Sequence, residues 1–549
     1  MPRPALVTRE AAQRLPRLAL WLFCAVYLLP GLFGRDPWRG ADLNAFGLML
    51  AMAEGRSPWL QPMLGGVASD AALLPHWLGA AAILLGQGWI DPALAARLPF
   101  ALLLALTLAG TWYATFHLAR DEAAQPLPFA FGGEADPLDY ARAMADAALL
   151  ALMATLGLLQ LGHETTPELA QLAVVAGWLW SLAAGGRRGR VGVLLLLPVL
   201  AACGAPTVAL VLGAAALGLS LAGRHGGLRA LAPWLAAATA LAALAAWPVH
   251  SWAWRAAAVP APLQLSKLWL WFLWPAWPLA LWTLWQWRRH LVQRHLALPG
   301  LVFGVALAAS VVMGGSDRAL MLGLPGLAVL AAFALPTLQR STSAAVDWFS
   351  VFFFTLAALV VWVVYLAMQT GVPAKPAANI ARLAPGFVAQ GSLPLLLLAA
   401  AGSAAWLALV RWRTGRQRAA LWKSLVLPAG GVALCWLLLM TLWLPLLDYG
   451  RSNRPLVQRL ARHVPAGAAC IAAPGAAPSL VAALEFHGRW TVRAAADAAA
   501  GADCPVLLLG LRGASPTAQA PAGWIEVARE RRPTDRQDWT LVYRRASAS

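Results

Sequence analysis

Arg35-Asp36-Pro37-Trp38-Arg39-Gly40-Ala41-Asp42 places two carboxylates and two arginines within eight residues, in a chain of which only 12% is charged. Ionisable groups packed beside an apolar segment are costly to place at a membrane boundary and mark functional sites. A carboxylate in this setting can take a proton from an attacking nucleophile. Arginines beside it can hold an anion such as a phosphate in bidentate contact. Asp42 opens the stretch Leu43 to Glu54, where Leu43, Phe46, Gly47, Met49 and Leu50 recur at helical spacing. This predicts a helix lying on or in the outer leaflet. Asp42 is then its N-cap, for which Asp is favoured, or a catalytic carboxylate, or both. Arg35 and Arg39 either pair with Asp36 and phosphate or anchor the interface.

The elements that position this stretch follow from composition. The chain has 549 residues, 60% hydrophobic, with mean hydropathy +0.64. A soluble protein carries about one quarter charged residues. The apolar blocks are mostly about 16–25 residues long, the length that crosses a bilayer as helix. They lack the alternation of a membrane β-barrel. The fold class expected is a polytopic α-helical membrane protein with a small C-terminal α/β domain. The net charge of +18 does not point to nucleic acid, because the arginines fall in short loops between apolar blocks, as the positive-inside rule requires. No zinc spacing, Walker loop or dinucleotide-binding glycine motif is present.

Charge also sets the topology. Arg3, Arg9, Arg14 and Arg17 precede the first apolar block and place the N-terminus in the cytoplasm. The first block, near 18–34, lacks a small-residue cleavage site and reads as a retained span. Basic loops at 187–190, 224–229, 288–294, 340 and 411–418 are expected on the same side, so an even number of spans separates each pair. Between the N-terminus and Arg187 there are five blocks, near 18–34, 72–86, 95–118, 144–161 and 167–184. The block at 72–86, interrupted by Pro75 and His76, is therefore read as an interfacial helix on the outer surface. Further spans are expected near 191–204, 206–222, 229–248, 268–287, 297–314, 319–337, 347–368, 393–410 and 422–446, about thirteen in all. The expected division is a transmembrane part, 1–447, with an outer loop at 35–94 bearing juxtamembrane helices, and an outer domain, 448–549. In that domain, Ala469–Ala472, Val506–Leu511 and Trp539–Tyr543 read as strands, and Pro455–His463 and Pro478–His487 as helices. Cys470 and Cys504 either form a disulfide, which an oxidising compartment permits, or remain two buried thiols.

With this topology, polar residues at span ends gather on the outer side. Asp70 precedes the interfacial helix as its possible cap, and His76 lies on that helix. Arg97 opens a span, His163 and Glu164 occupy an outer turn, and Arg255, Lys267 and Arg318 lie at later outer ends. Each alone is commonly a capping or snorkelling residue. Together, Arg97, Arg255, Lys267 and Arg318 around Asp42 would suit an anionic, lipid-linked substrate.

The pattern resembles the GT-C glycosyltransferases, and within them the group that includes the lipid A aminoarabinose transferases and the protein O-mannosyltransferases (glycosyltransferase families 39 and 83). The residues that carry the likeness are Asp36-Pro37-Trp38-Arg39-Gly40-Ala41-Asp42, Gly55-Arg56-Ser57-Pro58-Trp59-Leu60-Gln61-Pro62, Pro75-His76-Trp77-Leu78, Ala95-Ala96-Arg97-Leu98-Pro99 and Ser316-Asp317-Arg318-Ala319-Leu320. Two departures stand out. Ala41-Asp42 replaces the paired acidic residues often seen there, and Asp70-Ala71-Ala72 replaces Lys-Pro-Pro. The resemblance implies a sugar donor on a polyprenyl phosphate, typically undecaprenyl phosphate. It implies an acceptor that is a lipid such as lipid A, a glycan or a protein, and a bacterial inner-membrane location with the C-terminus in the periplasm. Asp42 would be the base. Arg35, Asp36, Arg39, Arg97, Lys267 and Arg318 would serve the substrate and its phosphate, with Lys267 or Arg318 standing in for the missing lysine. No cofactor is implied with certainty; a divalent metal stays open, with no ligand set to assign. The competing classes are a transporter or flippase of a lipid-linked sugar, which would show internal repeats and mid-membrane charges, and a non-catalytic assembly subunit.

Overall fold

The computed structural model describes residues 5–69, 72–130, 132–222, 226–247, 256–414, 420–495, 503–513 and 520–545. In chain order the helices begin with α1 (Arg17–Leu28), α2 (Ala41–Ala53), α3 (Leu73–Leu85), α4 (Pro92–Ala119), α5 (Pro137–Ala154), α6 (Leu156–Leu161), α7 (Pro167–Ala184), α8 (Gly186–Ala202) and α9 (Pro206–Ala222). They continue with α10 (Gly226–Arg229), α11 (Ala232–Ala246), α12 (Pro262–Phe272), α13 (Ala276–Gln286), α14 (Arg294–Val312), α15 (Asp317–Met321), α16 (Leu324–Ala332), α17 (Arg340–Thr370), α18 (Ala374–Leu383) and α19 (Leu393–Thr414). The last are α20 (Lys423–Leu442), α21 (Leu444–Arg451), α22 (Arg454–Leu460) and α23 (Pro478–Gly488). Proline opens many of them, including α7, α11 and α12, where its missing N–H costs nothing and its φ is already helical.

Each expected apolar block is largely helical, and four are divided: that near 144–161 at Thr155 into α5 and α6, that near 422–446 at Trp443 into α20 and α21, and the two that follow. The block near 268–287 is broken at Pro275 into α12 and α13, because proline removes a backbone donor and clashes with the preceding turn. The block near 319–337 begins as the short α15 before α16. Among the described residues, five helices are long and apolar enough to cross a membrane: Pro92–Ala119, Arg294–Val312, Ser341–Thr370, Leu393–Thr414 and Lys423–Leu442. The chain is a multi-pass membrane protein.

The chain divides into two compact units. The first contains residues 1–32, 100–360 and 394–441. Its helices pack through small residues, as at Gly110, where a Cβ would press on Ala176 at 3.1 Å; close backbone approach of this kind drives helix association in lipid. Buried hydroxyls in α4 are satisfied within the helix, Thr111 and Thr115 each donating to the carbonyl four residues earlier at 2.8 Å. The N-terminal arm is built into this unit. The Leu15 amide donates to buried Asp146 at 2.8 Å, Ala5 O accepts from Leu127 N, and Gln13 O accepts from the Trp422 indole at 2.6 Å.

The second unit contains residues 33–99, 361–393 and 442–549. A hairpin of β1 (Met63–Leu64) and β2 (Val67–Ala68) joins α2 to α3. The C-terminal sheet comprises β3 (Cys470–Ala472), β4 (Thr491–Arg493), β5 (Val506–Arg512), β6 (Trp524–Arg531) and β7 (Asp538–Arg545), in the order β4-β3-β5-β7-β6. β3 pairs in parallel with β4 and β5, and β7 pairs antiparallel with β5 and β6. The three strands read from sequence are present; β4 and β6 were not anticipated. Cys470 and Cys504 form a disulfide within a core that includes Leu507, Leu541 and Tyr543.

One expectation is corrected here. The helix after Asp42 does not lie on a surface. Ten residues of α2, from Asp42 to Met52, are buried. Gly79 lets Met49 settle against α3, and Gly47 receives Ala482 of α23; a Cβ at either glycine would collide with its neighbour. Phe46 meets Phe486 edge-on at 4.8 Å. A helix apolar all round is buried rather than interfacial.

Candidate active site

Gly40, at φ +93°, caps α2, a conformation that favours glycine. Asp42 is thus not the cap. It stands inside the first turn, 2% exposed, where the helix dipole favours a negative charge. Its Oδ2 accepts from the Trp38 amide at 3.0 Å and from the Arg35 guanidinium at 3.4 Å. Arg35 is equally buried, so the pair is an ion pair withdrawn from water. Such a pair is strongly destabilised if one partner is lost.

Trp38 is the centre of the loop. Two guanidinium groups, Arg35 and Arg451, lie over its ring, each 4.7 Å from the ring centroid. Its indole N–H donates to Asp448 Oδ1 at 2.8 Å. Asp448 Oδ2 accepts the Asp36 amide at 3.3 Å. The Asp36 carboxylate pairs with Arg454 at 2.5 Å. Arg39 donates its amide to Arg451 O at 2.9 Å, and its exposed guanidinium lies 3.6 Å from Asp535. Burial, followed by the nearby Asp36 charge, pushes the Asp448 carboxyl up to about 6, against the opposing indole hydrogen bond.

Arg97, on the first turns of α4, is 4% exposed and within electrostatic reach of Arg35, Asp42, Asp448 and Asp36. Arg35, Asp36, Arg39, Asp42 and Arg97 are therefore gathered in one unit. His76 is buried on α3, and burial lowers its imidazole to about 4, so it is neutral at pH 7.

Other expected residues belong to the first unit. Arg318 on α15 pairs with Glu164 at 2.5 Å, donates to Thr166 Oγ1 at 3.1 Å and lies 3.7 Å from Glu168. Its charge is balanced by two glutamates. His163 has Nδ1 2.6 Å from Leu159 O and Nε2 2.8 Å from Tyr27 O, and its ring packs against Trp436; both nitrogens face backbone carbonyls. Lys267 is exposed on α12. Asp70 and Arg255 lie outside the described residues. Among the described residues, no group of three or more His, Cys, Asp or Glu is arranged to hold a metal ion.

Sequence reasoning missed Asp448, Arg451 and Arg454, and it quoted Trp38 without giving it a role. The available signal was the criterion already applied to Arg35–Asp42. Asp448-Tyr449-Gly450-Arg451-Ser452-Asn453-Arg454 is also a charged run directly after an apolar block.

Fold and site together define a helical multi-pass membrane protein with an appended sheet and a buried carboxylate–guanidinium cluster. Among solved structures, the chain is similar to ArnT from Cupriavidus metallidurans bound to undecaprenyl phosphate, with TM-score 0.64 and 15% identity over 96% of this chain and 97% of that one. It is similar to the apo state of the same protein with TM-score 0.62 and 15% identity, over 96% and 98% of the two chains. No family model and no curated protein matches the chain. The chain shares the fold of these structures, in keeping with the sequence resemblance.

Proposed function

We propose that this protein is an integral-membrane glycosyltransferase that moves a sugar from a polyprenyl-phosphate donor to a lipid, glycan or protein acceptor on the periplasmic side. The observation that carries the reading is likeness over nearly the whole chain to a structure that binds undecaprenyl phosphate. The buried Asp42–Arg35 pair, with Arg97 beside it, supplies chemistry that suits such a donor.

The step is a single displacement. The acceptor oxygen attacks the anomeric carbon, and the bond from that carbon to the phosphate oxygen breaks. The phosphate, still esterified to its polyprenyl chain, leaves with the bonding electrons on its oxygen, and the acceptor proton passes to Asp42. Arg35 and Arg97 stabilise the charge that grows on the departing phosphate. A phosphate needs no proton to leave, so one carboxylate suffices and the anomeric configuration inverts. Asp36 and Arg39 are proposed to serve the substrate as well, as are Lys267 and Arg318 on the resemblance alone, in an inner membrane with the N-terminus cytoplasmic and the C-terminus periplasmic.

The test is transfer of radiolabelled sugar from a polyprenyl phosphate in membranes holding the protein. Label is expected on an acceptor, and Asp42→Asn is expected to reduce transfer by about 100-fold or more while donor binding persists. Donor that merely changes leaflet identifies a flippase instead, and full activity in Asp42→Asn removes the role given to that carboxylate.

A further inference from the structure

Asp448 comes from α21, separated from Trp38 by 410 residues of chain. Nevertheless, both of its oxygens are used on the loop that carries Arg35 and Asp42. One accepts the Trp38 indole and the other the Asp36 amide. Asp42 grips the same turn from the opposite end through the Trp38 amide. Two carboxylates thus hold one tryptophan, while two arginines lie over its ring. A bidentate acceptor of this kind fixes position in a way that a single contact does not. Displacement of a reacting group by about 1 Å can cost about 100-fold in rate.

We propose that Asp448 is a positioning residue of the active site: its carboxylate holds Trp38 and the Asp36 amide, and through them sets the placement of Arg35 and Asp42 that sugar transfer needs. The inference rests on the transferase reading given above. The charged groups that act on the carboxylate are Asp36 and Arg35 of the loop and Arg97 of α4; Asp42 holds the same tryptophan, Arg451 lies over its ring, and Arg454 pairs with Asp36. His487 of α23 lies near Asp36 and Arg454, and its imidazole is lowered to about 4 by burial. Asp448 titrates higher, near 6. Once protonated, it gives up one acceptor oxygen to an O–H, and the grip on the turn loosens. Transfer by the unaltered protein is therefore expected to fall below about pH 6.

The experiment compares the full-length protein with Asp448→Asn and Trp38→Phe, the latter keeping an aromatic ring beside the arginines while losing the indole donor and the second fused ring. Transfer from the polyprenyl-phosphate sugar is followed against pH, alongside hydrogen–deuterium exchange of the 35–46 segment. Each variant is expected to lower kcat by roughly 10- to 100-fold, with the donor KM changed by less than about threefold and the acid limb near pH 6 absent from Asp448→Asn. The double variant is expected to be no slower than the worse single one, as two ends of one interaction require. Exchange at the Asp36 amide is expected to quicken at least about tenfold in Asp448→Asn. Unchanged kcat with the acid limb intact, multiplicative losses in the double variant, or unchanged exchange overturns the proposal. If the unaltered protein transfers no sugar, the transferase reading falls with it, and the exchange measurement still decides whether Asp448 holds the loop.

Discussion

At the residue scale, Trp38 and Gly40 do more than their place in a short motif suggested. Trp38 is 3% exposed and binds through its amide, its indole N–H and its ring. Trp38→Ala is expected to cost about 3–5 kcal/mol, read as a lowered melting temperature of the detergent-solubilised protein. Gly40 has no neighbour within 4 Å of a built Cβ, yet its φ is +93°. Gly40→Ala therefore isolates backbone strain from crowding, and should cost about 1–3 kcal/mol. A loss no greater than that of an exposed helical Gly→Ala control would remove the argument. The motif pointed to Asp42 because charge beside an apolar block is conspicuous. It did not reveal that a glycine caps the helix, since φ is a property of the folded loop. Nor did it reveal Asp448, whose partner lies at the far end of the chain.

At the scale of elements, the apolar blocks were legible because 3.6-residue periodicity and bilayer length are local properties. Partners are not local. The stretch Ala41–Ala53 carries polar side chains only at Asp42 and Asn44, and a helix so apolar is buried in protein or in lipid alike, so its sequence does not tell which surrounds it. The structure puts α3 on one side and α23 on the other. The contact at Gly47 and Ala482 gives a specific expectation. Gly47→Ala should destabilise by about 1–3 kcal/mol through overpacking, and Ala482→Gly in the same chain should restore much of the loss. A thermal-melt double-mutant cycle with no coupling between the two sites would show that the helices do not meet there. The disulfide belongs to this scale as well. It closes a separation of 34 residues, and loops of that size typically bring about 2–4 kcal/mol. Cys470→Ser, or a reductant, should lower the melting temperature of the sheet domain accordingly.

At the scale of the whole molecule, composition spoke for the class, while the grouping of segments was hidden. The second unit draws on 33–99, 361–393 and 442–549; no run of sequence announces that a loop after the first helix and a tail after the last share one core. Topology remains the most exposed expectation, because it depends on one choice, that α3 does not cross. α3 buries Pro75, His76, Gly79, Ala80 and Ile83 while exposing Leu78, Leu84 and Leu85. That division suits a helix with one face on protein and the other in the headgroup region. If α3 crossed, every later basic loop would face outward, against the positive-inside rule. Two reporter fusions separate these outcomes. Alkaline phosphatase joined after Ser549 should be active and after Arg190 inactive, because the enzyme folds only outside the cytoplasm. The reverse pair would make α3 a span and move the basic loops to the outer side. Two inactive fusions would place the break in parity between α8 and the C-terminus.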